Sequence, residues 1–256
     1  MKKTVLITGA SGGIGLELAR VFAQNKYDLV LVARSRGKLL EIKKELEQKN
    51  GVSVFPVVQD LTLPGAPEDV YKKVKAKKIK IDVLVNNAGF GAHGKFTETN
   101  LEDELGSIHL NVLALTALTK FFVLDMAGAK KGKILNVAST AAFIPSPVMA
   151  VYHATKAYVL SFSEALAVDL KGKGIVVCAL CPGPVETGFA ERAGMGNSLL
   201  FKTFAVDAKD VARAGYAGLM QGKMVVVPGF LNNVSIFIVR FSPRTLVLKI
   251  TGKLQA

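Results

Sequence analysis

The chain of 256 residues contains no tryptophan, two cysteines, three histidines and 20 acidic residues against 33 basic ones. Two cysteines are too few for a disulfide-stapled secreted fold, and Cys178 and Cys181 lack the further ligands that a metal site needs. We therefore read Cys178 as a small core residue and expect no metal. No apolar run reaches the roughly 20 residues that span a bilayer, and the first apolar stretch ends at Thr8, too early for a secretory signal. These absences favour a cytoplasmic protein.

Basic residues exceed acidic ones by 13, and many of the lysines lie in the stretch 72–80. Binding to nucleic acid would require a reader motif or stacking aromatic residues, and the sequence offers neither, so we expect no nucleic acid partner. The charge instead favours anionic small molecules or an anionic membrane surface. A merely solvated lysine face is the plainer interpretation.

Short β-rich apolar runs alternate with helical patterns along most of the chain. We predict strands at 4–7, 28–33, 52–58, 81–85, 133–137, 175–180 and 224–227. This alternation is typical of an α/β protein with a doubly wound parallel sheet, in which all strands end at one edge. There is no repeat and no linker, so we predict one domain over residues 1–228 and an extension over 229–256.

A glycine-rich turn joins the first strand to the first helix. Glycines at positions 9, 13 and 15 leave space for a diphosphate to approach the helix N-terminus, where unpaired N–H groups favour negative charge. A turn that serves only packing is the alternative. The strand–turn–helix context favours dinucleotide binding.

The second predicted strand ends at Arg34, and no acidic residue occurs between Asp28 and Glu41. Dinucleotide folds use an acid after this strand to bind the adenosine ribose. Arg34 is placed to bind a 2′-phosphate instead, through a charge-assisted hydrogen bond of about 1.5–3 kcal/mol. The sequence thus favours NADP(H) over NAD(H), with a plain surface charge as the alternative.

Tyr152 and Lys156 are spaced to share one face of a helix. A lysine charge about 5 Å away would lower the pKa of a tyrosine by about two units, which suits proton transfer near neutral pH. Taken alone, such a pair is more often a boundary tyrosine beside a solvated lysine. Its significance depends on the other motifs.

Four motifs occur together: the turn from Thr8 to Gly15, Asn86-Asn87-Ala88-Gly89, Ser139 thirteen residues before Tyr152, and Lys156. With them, residues 3–230 resemble the short-chain dehydrogenase/reductase family. The resemblance implies a Rossmann-type sheet of about seven strands with helices on both faces. It also implies hydride transfer between a nicotinamide coenzyme and a carbonyl or secondary alcohol.

By the same resemblance, the catalytic residues are Asn111, Ser139, Tyr152 and Lys156. Tyr152 is the general acid/base, Ser139 places the substrate oxygen, Lys156 binds the nicotinamide ribose, and Asn111 anchors a water in a proton relay. The coenzyme-binding residues that it implies are Gly9, Ser11, Gly12, Gly13, Ile14, Gly15, Arg34, Asp60, Leu61, Asn87, Ala88, Gly89, Tyr152, Lys156, Pro182, Gly183 and Thr187.

The substrate is only loosely indicated. Residues 189–206 correspond to the family's variable substrate lid, and their moderately apolar composition favours a hydrophobic carbonyl or alcohol. His93 and His153 could touch the substrate, although ordinary loop and surface roles are the plainer interpretation. The family commonly forms homodimers or homotetramers.

The extension 229–256 has three open interpretations: a helix that covers the pocket or contacts an oligomer partner, a basic segment on a membrane surface, or a loosely ordered end. Two functions also stay open. The favoured one is an NADP(H)-dependent oxidoreductase, cytoplasmic or membrane-associated through its extension. The other is an NADP-binding sensor or interaction protein with little turnover, against which the intact set of catalytic residues argues.

Overall fold

In the computed structural model, which describes residues 2–188 and 205–255, seven parallel strands form one sheet in the order β3-β2-β1-β4-β5-β6-β7. The strands are β1 (Thr4–Thr8), β2 (Asp28–Ala33), β3 (Val54–Val58), β4 (Val83–Asn86), β5 (Gly132–Val137), β6 (Ile175–Leu180) and β7 (Val225–Val226). The strand order reverses between β1 and β4, and ligands of such sheets bind beyond the strand C-termini at this point. The predicted doubly wound α/β fold is confirmed.

Nine α-helices are seen in the described residues. They are α1 (Gly13–Gln24), α2 (Arg36–Asn50), α3 (Ala66–Ala76), α4 (Leu101–Ile108), α5 (Leu115–Gly128), α6 (Ala150–Asp169), α7 (Ala208–Met220), α8 (Phe230–Phe241) and α9 (Arg244–Gln255). Asp207 caps α7 as predicted, because its Oδ1 accepts from the Lys209 N–H at 2.8 Å. A short 3₁₀ turn, Thr140–Phe143, follows β5.

Alternate residues of the central strands enter two separate hydrophobic cores. Val5 and Ile7 of β1 join the core formed with α1, α2 and α7, whereas Leu6 joins the core formed with α3 and α5. Because both faces of the sheet are covered, the strands read as continuous apolar runs instead of alternating ones. This explains why the sequence showed them so clearly.

The observed strand ends differ slightly from the predicted ones. β4 starts at Val83, two residues later than predicted, since Ile81 and Asp82 lie before the ladder and the Asp82 carboxylate accepts from the Thr4 N–H at 2.9 Å. The seventh strand is shorter than predicted and consists of Val225 and Val226, which pair with β6. The C-terminal ends of the strands agree with the predicted ones to within one residue.

Helices α4 and α5 are joined without a break by a π-helical turn, His109–Ala114. The whole helix, Leu101–Gly128, is long and apolar enough to span a membrane by length and composition, in contrast to the expectation from uninterrupted apolar runs. Nearly half of its most apolar stretch is buried, with Leu118 and Phe122 in the core beside β4 and β5. These are also the properties of a core helix that covers a sheet.

Candidate active site

A cavity of about 850 Å³ lies at the edge of the sheet where the strands end. Nearly all the residues that the sequence assigned to catalysis or coenzyme binding line it, from Gly9 after β1 to Thr187 beyond β6. Two do not: Gly15 and Asn111 lie behind the cavity wall. The predicted set is therefore brought together, in two layers.

The glycine-rich turn forms the floor of the cavity. Gly9 and Gly13 have φ angles of +66° and +53°, which side chains disfavour. A Cβ at Gly9 would lie 2.9 Å from Ala88 Cα, and one at Gly13 would lie 3.0 Å from Thr187 Cγ2. A Cβ at Gly15 would collide with the Gly9 carbonyl oxygen, so Gly15 serves the packing of α1 on the turn.

Helix α1 starts at this floor without a side-chain cap. Gly12, the residue before the helix, has an extended backbone and offers no side-chain oxygen to the first N–H groups. Nothing lies within 4 Å of a Cβ placed at Gly12. Because uncapped N–H groups and the helix dipole favour an anion, this part of the cavity fits a diphosphate.

Arg34 follows β2 and lines the same cavity. Its Nη1 lies 3.8 Å from Asp60 Oδ2, and 59% of the side chain is exposed. Asp60 itself is held by Thr62, whose N–H and hydroxyl both donate to Oδ1, at 2.9 and 2.7 Å. The guanidinium is thus near a carboxylate and still accessible to a further anion.

A hydroxyl beneath the floor ties the turn after β4 to β1. Thr8 Oγ1 accepts from the N–H groups of Asn87 and Ala88, both at 3.0 Å. The Asn87 amide in turn donates to the Thr8 carbonyl oxygen at 2.9 Å. This network fixes Asn87, Ala88 and Gly89 at the cavity wall. Thr8 opens the glycine-rich motif, but its hydrogen bonds to Asn87 and Ala88 could not be predicted from the sequence.

Ser139 stands at the start of the 3₁₀ turn that follows β5. Its Oγ accepts from the Ala141 N–H at 3.1 Å and lies 3.3 Å from the Pro182 carbonyl oxygen. It is also hydrogen-bonded to the Tyr152 hydroxyl, which lowers the pKa of that phenol. The two predicted catalytic hydroxyls therefore meet at one point of the cavity.

Tyr152 and Lys156 share one face of α6, as the spacing predicts. Lys156 Nζ donates to the Val137 carbonyl oxygen at 2.8 Å and lies 5.7 Å from the centre of the Tyr152 ring. Lys156 is buried, with 5% of its surface exposed. The lysine is fixed by the end of β5 and not by solvent.

The predicted fall in the Tyr152 pKa is wrong for the protein without ligands. Desolvation raises the pKa of Tyr152 to about 12, because burial disfavours the phenolate, and the Ser139 hydrogen bond offsets only part of this rise. Burial also lowers the pKa of Lys156 to about 8. A fall in the pKa of Tyr152 would require both side chains to be partly solvated. In the folded protein both are buried, so desolvation dominates.

Asn111 lies in the π-helical turn, one layer behind the cavity. Its Nδ2 donates to the Phe90 carbonyl oxygen at 2.9 Å and to Thr155 Oγ1 at 3.0 Å, and its Oδ1 accepts from the Phe90 N–H at 3.2 Å. Thr155 Oγ1 donates to the Tyr152 carbonyl oxygen at 2.8 Å. Asn111 therefore joins the loop after β4 to the helix that bears Tyr152.

His153 lines the cavity but is only 4% exposed. Its ring is hydrogen-bonded to the backbone of Ile144, with Nδ1 2.6 Å from the carbonyl oxygen, and to the backbone of Ala141. Burial lowers the pKa of the imidazole, and the two backbone hydrogen bonds offset part of that fall. His93 is not among the residues that line the cavity.

The two cysteines are free and buried, and burial raises the pKa of each thiol to about 12. This confirms Cys178 as a core residue. In residues 2–188 and 205–255, no three His, Cys, Asp or Glu side chains are grouped so that they could hold a metal ion.

The C-terminal helices supply cavity residues that the sequence did not identify. Asn232 of α8 packs on the turn after β6 so closely that a Cβ at Gly183 would lie 2.7 Å from its carboxamide atoms. Apolar residues of α8 and α9, such as Ile238 and Val247, line the far side of the cavity. No short motif marks these residues, because their position depends on how α8 folds back. Most of the predicted lid, 189–206, lies outside the described residues.

The chain matches the family described as short chain dehydrogenase over residues 3–197. It is 35% identical over 194 residues to the 17-beta-hydroxysteroid dehydrogenase type 3 of Mus musculus, a match that covers 73% of this chain and 61% of that protein. The chain thus spans about three fifths of the length of the curated relatives that it matches first.

Two solved structures are similar along nearly the whole chain. A short-chain dehydrogenase from Sphingobium yanoikuyae in complex with NADPH is 31% identical, with a TM-score of 0.84 and coverage of 94% of this chain and 97% of that one. A short-chain dehydrogenase/reductase from Burkholderia phymatum in complex with NAD is 25% identical, with a TM-score of 0.82 and coverage of 100% and 97%. This fold binds a nicotinamide coenzyme, and the chain belongs to the short-chain dehydrogenase/reductase family of oxidoreductases.

Proposed function

We propose that this protein is an NADP(H)-dependent oxidoreductase that interconverts a carbonyl group and a secondary alcohol, with Tyr152 as the general acid/base. One observation carries the proposal. Ser139, Tyr152 and Lys156 meet in the same cavity as an uncapped helix N-terminus and the glycine turn. A proton donor and a phosphate site in one cavity suit coenzyme-dependent reduction.

A nicotinamide coenzyme, when bound, supplies or accepts the hydride in such a reaction. The protein handles the proton. The Tyr152 hydroxyl donates it to the carbonyl oxygen in the reductive direction and takes it from the alcohol in reverse. With a pKa of about 12 the phenol of the ligand-free protein is protonated at neutral pH, which is the state that a proton donor requires.

Each of the other residues in the set has a part that fits its position. Ser139, already hydrogen-bonded to Tyr152, would hold the substrate oxygen beside the phenol. Lys156 would hold the nicotinamide ribose from its position at the end of β5. Asn111 fixes the backbone around Phe90 and Thr155 and would support a water-mediated route for the proton.

NADP(H) is favoured over NAD(H) because Arg34, not an acid, follows β2 at the cavity edge. Asp60 is the only carboxylate that an ion pair joins to Arg34 in the described part of the chain, and at 3.8 Å it leaves the guanidinium open to a 2′-phosphate. The NADPH complex of the Sphingobium yanoikuyae protein is consistent with this preference. The Burkholderia phymatum protein, in contrast, is in complex with NAD, so the coenzyme preference of this chain has to be measured.

The substrate class is an apolar carbonyl compound or its alcohol. Apolar side chains of α8 and α9 line the same cavity as Tyr152, among them Leu231, Ile238 and Val247. A hydroxysteroid, named in the relative from Mus musculus, is one bulky apolar substrate of this kind. We assign residues 1–228 to coenzyme binding and catalysis and residues 229–256 to a helical cover over the substrate end.

The assembly and the cellular setting follow from surface and core chemistry. Leu105, Leu113 and Leu124, on α4, the π-helical turn and α5, are about half exposed, which suits a homodimer or homotetramer through these helices. Two free, buried thiols suit a reducing, cytoplasmic setting.

The test is coenzyme oxidation followed at 340 nm with NADPH and NADH against a panel of bulky apolar ketones. Turnover that Tyr152→Phe abolishes, while coenzyme binding by fluorescence is retained, would establish the proposal. Tight NADPH binding without turnover of any carbonyl or alcohol would favour a sensor or interaction protein. If neither NADPH nor NADH binds, both the oxidoreductase and the sensor function are contradicted.

A further inference from the structure

Helix α8 is apolar around most of its circumference. One side lines the cavity, through Leu231, Ser235, Ile238 and Ser242, among others. A second stripe lies roughly 140° away around the helix and does not line the cavity. We call this stripe the outer face of α8, and it consists of Phe230, Val234, Phe237 and Phe241.

The outer face is exposed in the described part of the chain. Phe230, Phe237 and Phe241 are 81%, 65% and 73% exposed, and Val234 is 37% exposed. The rings of Phe237 and Phe241 pack edge-to-face with their centres 5.1 Å apart, so the stripe is continuous. A helix that covers a pocket needs only one apolar side, and the second one indicates another partner.

The charges within the C-terminal segment are of one sign. Residues 229–256 contain four cations, Arg240, Arg244, Lys249 and Lys253, and no aspartate or glutamate. Arg240, Arg244 and Lys249 are exposed, and none of the three takes part in an ion pair within the described residues. Phenylalanines flanked by unpaired cations are typical of a helix that lies at an anionic lipid interface.

A second copy of the chain is a poorer occupant. A two-fold axis on the outer face would bring the same cationic segment of each copy against the other, without an acid in that segment to compensate. Lipid phosphates offer the complementary charge, and the acyl boundary accepts the phenylalanine rings.

We propose that the outer face of α8 docks on an anionic lipid surface, with its phenylalanines in the acyl boundary and the adjacent arginines and lysines at the headgroups. The other side of the same helix covers the substrate end of the cavity. The docked protein therefore holds its apolar cavity next to the phase in which apolar molecules dissolve. The docking itself does not depend on the proposed hydride transfer.

The chain contains no tryptophan, so Phe237→Trp introduces a single fluorescent reporter on the outer face. With phosphatidylcholine vesicles that contain phosphatidylglycerol, we expect a blue shift of its emission and sedimentation of the protein. Vesicles of phosphatidylcholine alone should produce much less of both. Phe96→Trp is the matched control, because Phe96 is 63% exposed but lies in the loop before α4. It should report no shift.

The double variant Phe237→Ser and Phe241→Ser should weaken vesicle binding by about tenfold or more, since each change removes a large apolar side chain from the interface. Phe96→Ser should bind as the unaltered protein does. Phe96, Phe237 and Phe241 are all exposed, so the double variant and Phe96→Ser should both keep the thermal unfolding transition of the parent chain.

Three results would overturn the docking. The reporter could show no shift on anionic vesicles, or the double variant could bind as well as the parent chain. Alternatively, sedimentation velocity could show that the parent chain is an oligomer and the double variant is not, while neither of these two proteins binds vesicles. That result would assign the outer face to a contact with a second copy of the chain. Because these measurements use no coenzyme, they are independent of the activity test.

Discussion

Lys156 Nζ lies 2.8 Å from the Val137 carbonyl oxygen and 5.7 Å from the centre of the Tyr152 ring, inside the wall of the cavity. The ammonium thus has one backbone acceptor and an aromatic face as its neighbours. This environment replaces only part of the hydration that the charge loses on folding, and the pKa of Lys156 falls to about 8 as a result. The protonation state of this lysine therefore affects the stability of the fold.

The first prediction concerns the pH dependence of stability without coenzyme. The pKa of Lys156 falls from 10.5 in the unfolded chain to about 8 in the folded one, so the unfolded state binds more protons between these values. Stability should rise with pH in this window, by up to about 2 kcal/mol between pH 8 and about pH 9.5. Urea unfolding of the parent chain and of Lys156→Met measures the difference.

Lys156→Met lacks the titrating group, so the stability of the parent chain should rise relative to that of the variant as the pH rises. Above pH 10 the raised pKa of Tyr152 acts in the opposite sense, because the unfolded tyrosine then loses its proton first. A gap that is constant from pH 7 to about pH 10 would contradict a buried, weakly basic Lys156.

The second prediction concerns coenzyme choice. Arg34→Leu removes the cation at the cavity edge and should raise the KM for NADPH by about ten- to a hundredfold, while the KM for NADH changes little. Arg36→Leu is the matched control, since Arg36 is exposed at the start of α2 and does not line the cavity. Equal losses with both coenzymes would show that Arg34 does not recognise a 2′-phosphate.

The third prediction concerns His153, which links the turn that bears Ser139 to the helix that bears Tyr152. His153→Leu removes the hydrogen bond to the Ile144 carbonyl oxygen, so the turn should shift and kcat should fall by about tenfold with an unchanged coenzyme KM. His153→Asn keeps a donor near the position of Nδ1 and should restore most of kcat. Steady-state kinetics of His153→Leu and His153→Asn measures this difference in kcat.

Ser163→Ala controls for a loss of stability alone. Ser163 is buried in α6 and hydrogen-bonded to Val159 and Asn136, so its removal should destabilise the fold by about 1 kcal/mol without an effect on kcat. If His153→Asn is as slow as His153→Leu, a positioning role for this hydrogen bond is excluded.

The fourth prediction concerns Asn111. Asn111→Ala leaves the buried N–H and carbonyl of Phe90 without their side-chain partner and should lower the free energy of unfolding by about 1–3 kcal/mol. Ser107→Ala, which removes only a 3.4 Å contact to Asn111, should cost clearly less. Chemical denaturation of both variants provides the measurement, and equal losses would show that the bonds to Phe90 contribute little.

Much of the site could be predicted because the informative residues follow directly on strands. The residues after β1, β2, β4, β5 and β6 all reach the same cavity, as parallel strands with right-handed crossovers require. Gly15 belonged to the glycine-rich motif and Asn111 was assigned only through the family resemblance, and the place of both behind the cavity wall could not be predicted from spacing. It depends on contacts of Gly15 with Gly9 and Asn87 and of Asn111 with Phe90, and all but the contact with Gly9 join segments that are distant in sequence.

The cover over the substrate end was predicted only as one of three possibilities. Helix α8 has apolar residues around most of its circumference. Hydrophobic periodicity alone therefore could not predict which side of the helix faces the protein. Asn232 identifies the inner side, since it packs on Gly183, and Phe237 and Phe241 remain outside. That decision depends on how α8 folds back over the turn after β6.

Residue order was enough to predict the succession of strands and helices, the glycine turn, the cation after β2 and the placement of Tyr152 and Lys156 on one helical face. These features are local, because they depend on backbone period and on neighbours within a few residues. In contrast, the pKa of Tyr152, the pKa of Lys156 and the side of α8 that faces the cavity depend on tertiary packing. Each of these depends on which water is excluded when distant segments pack, and no local pattern encodes that exclusion.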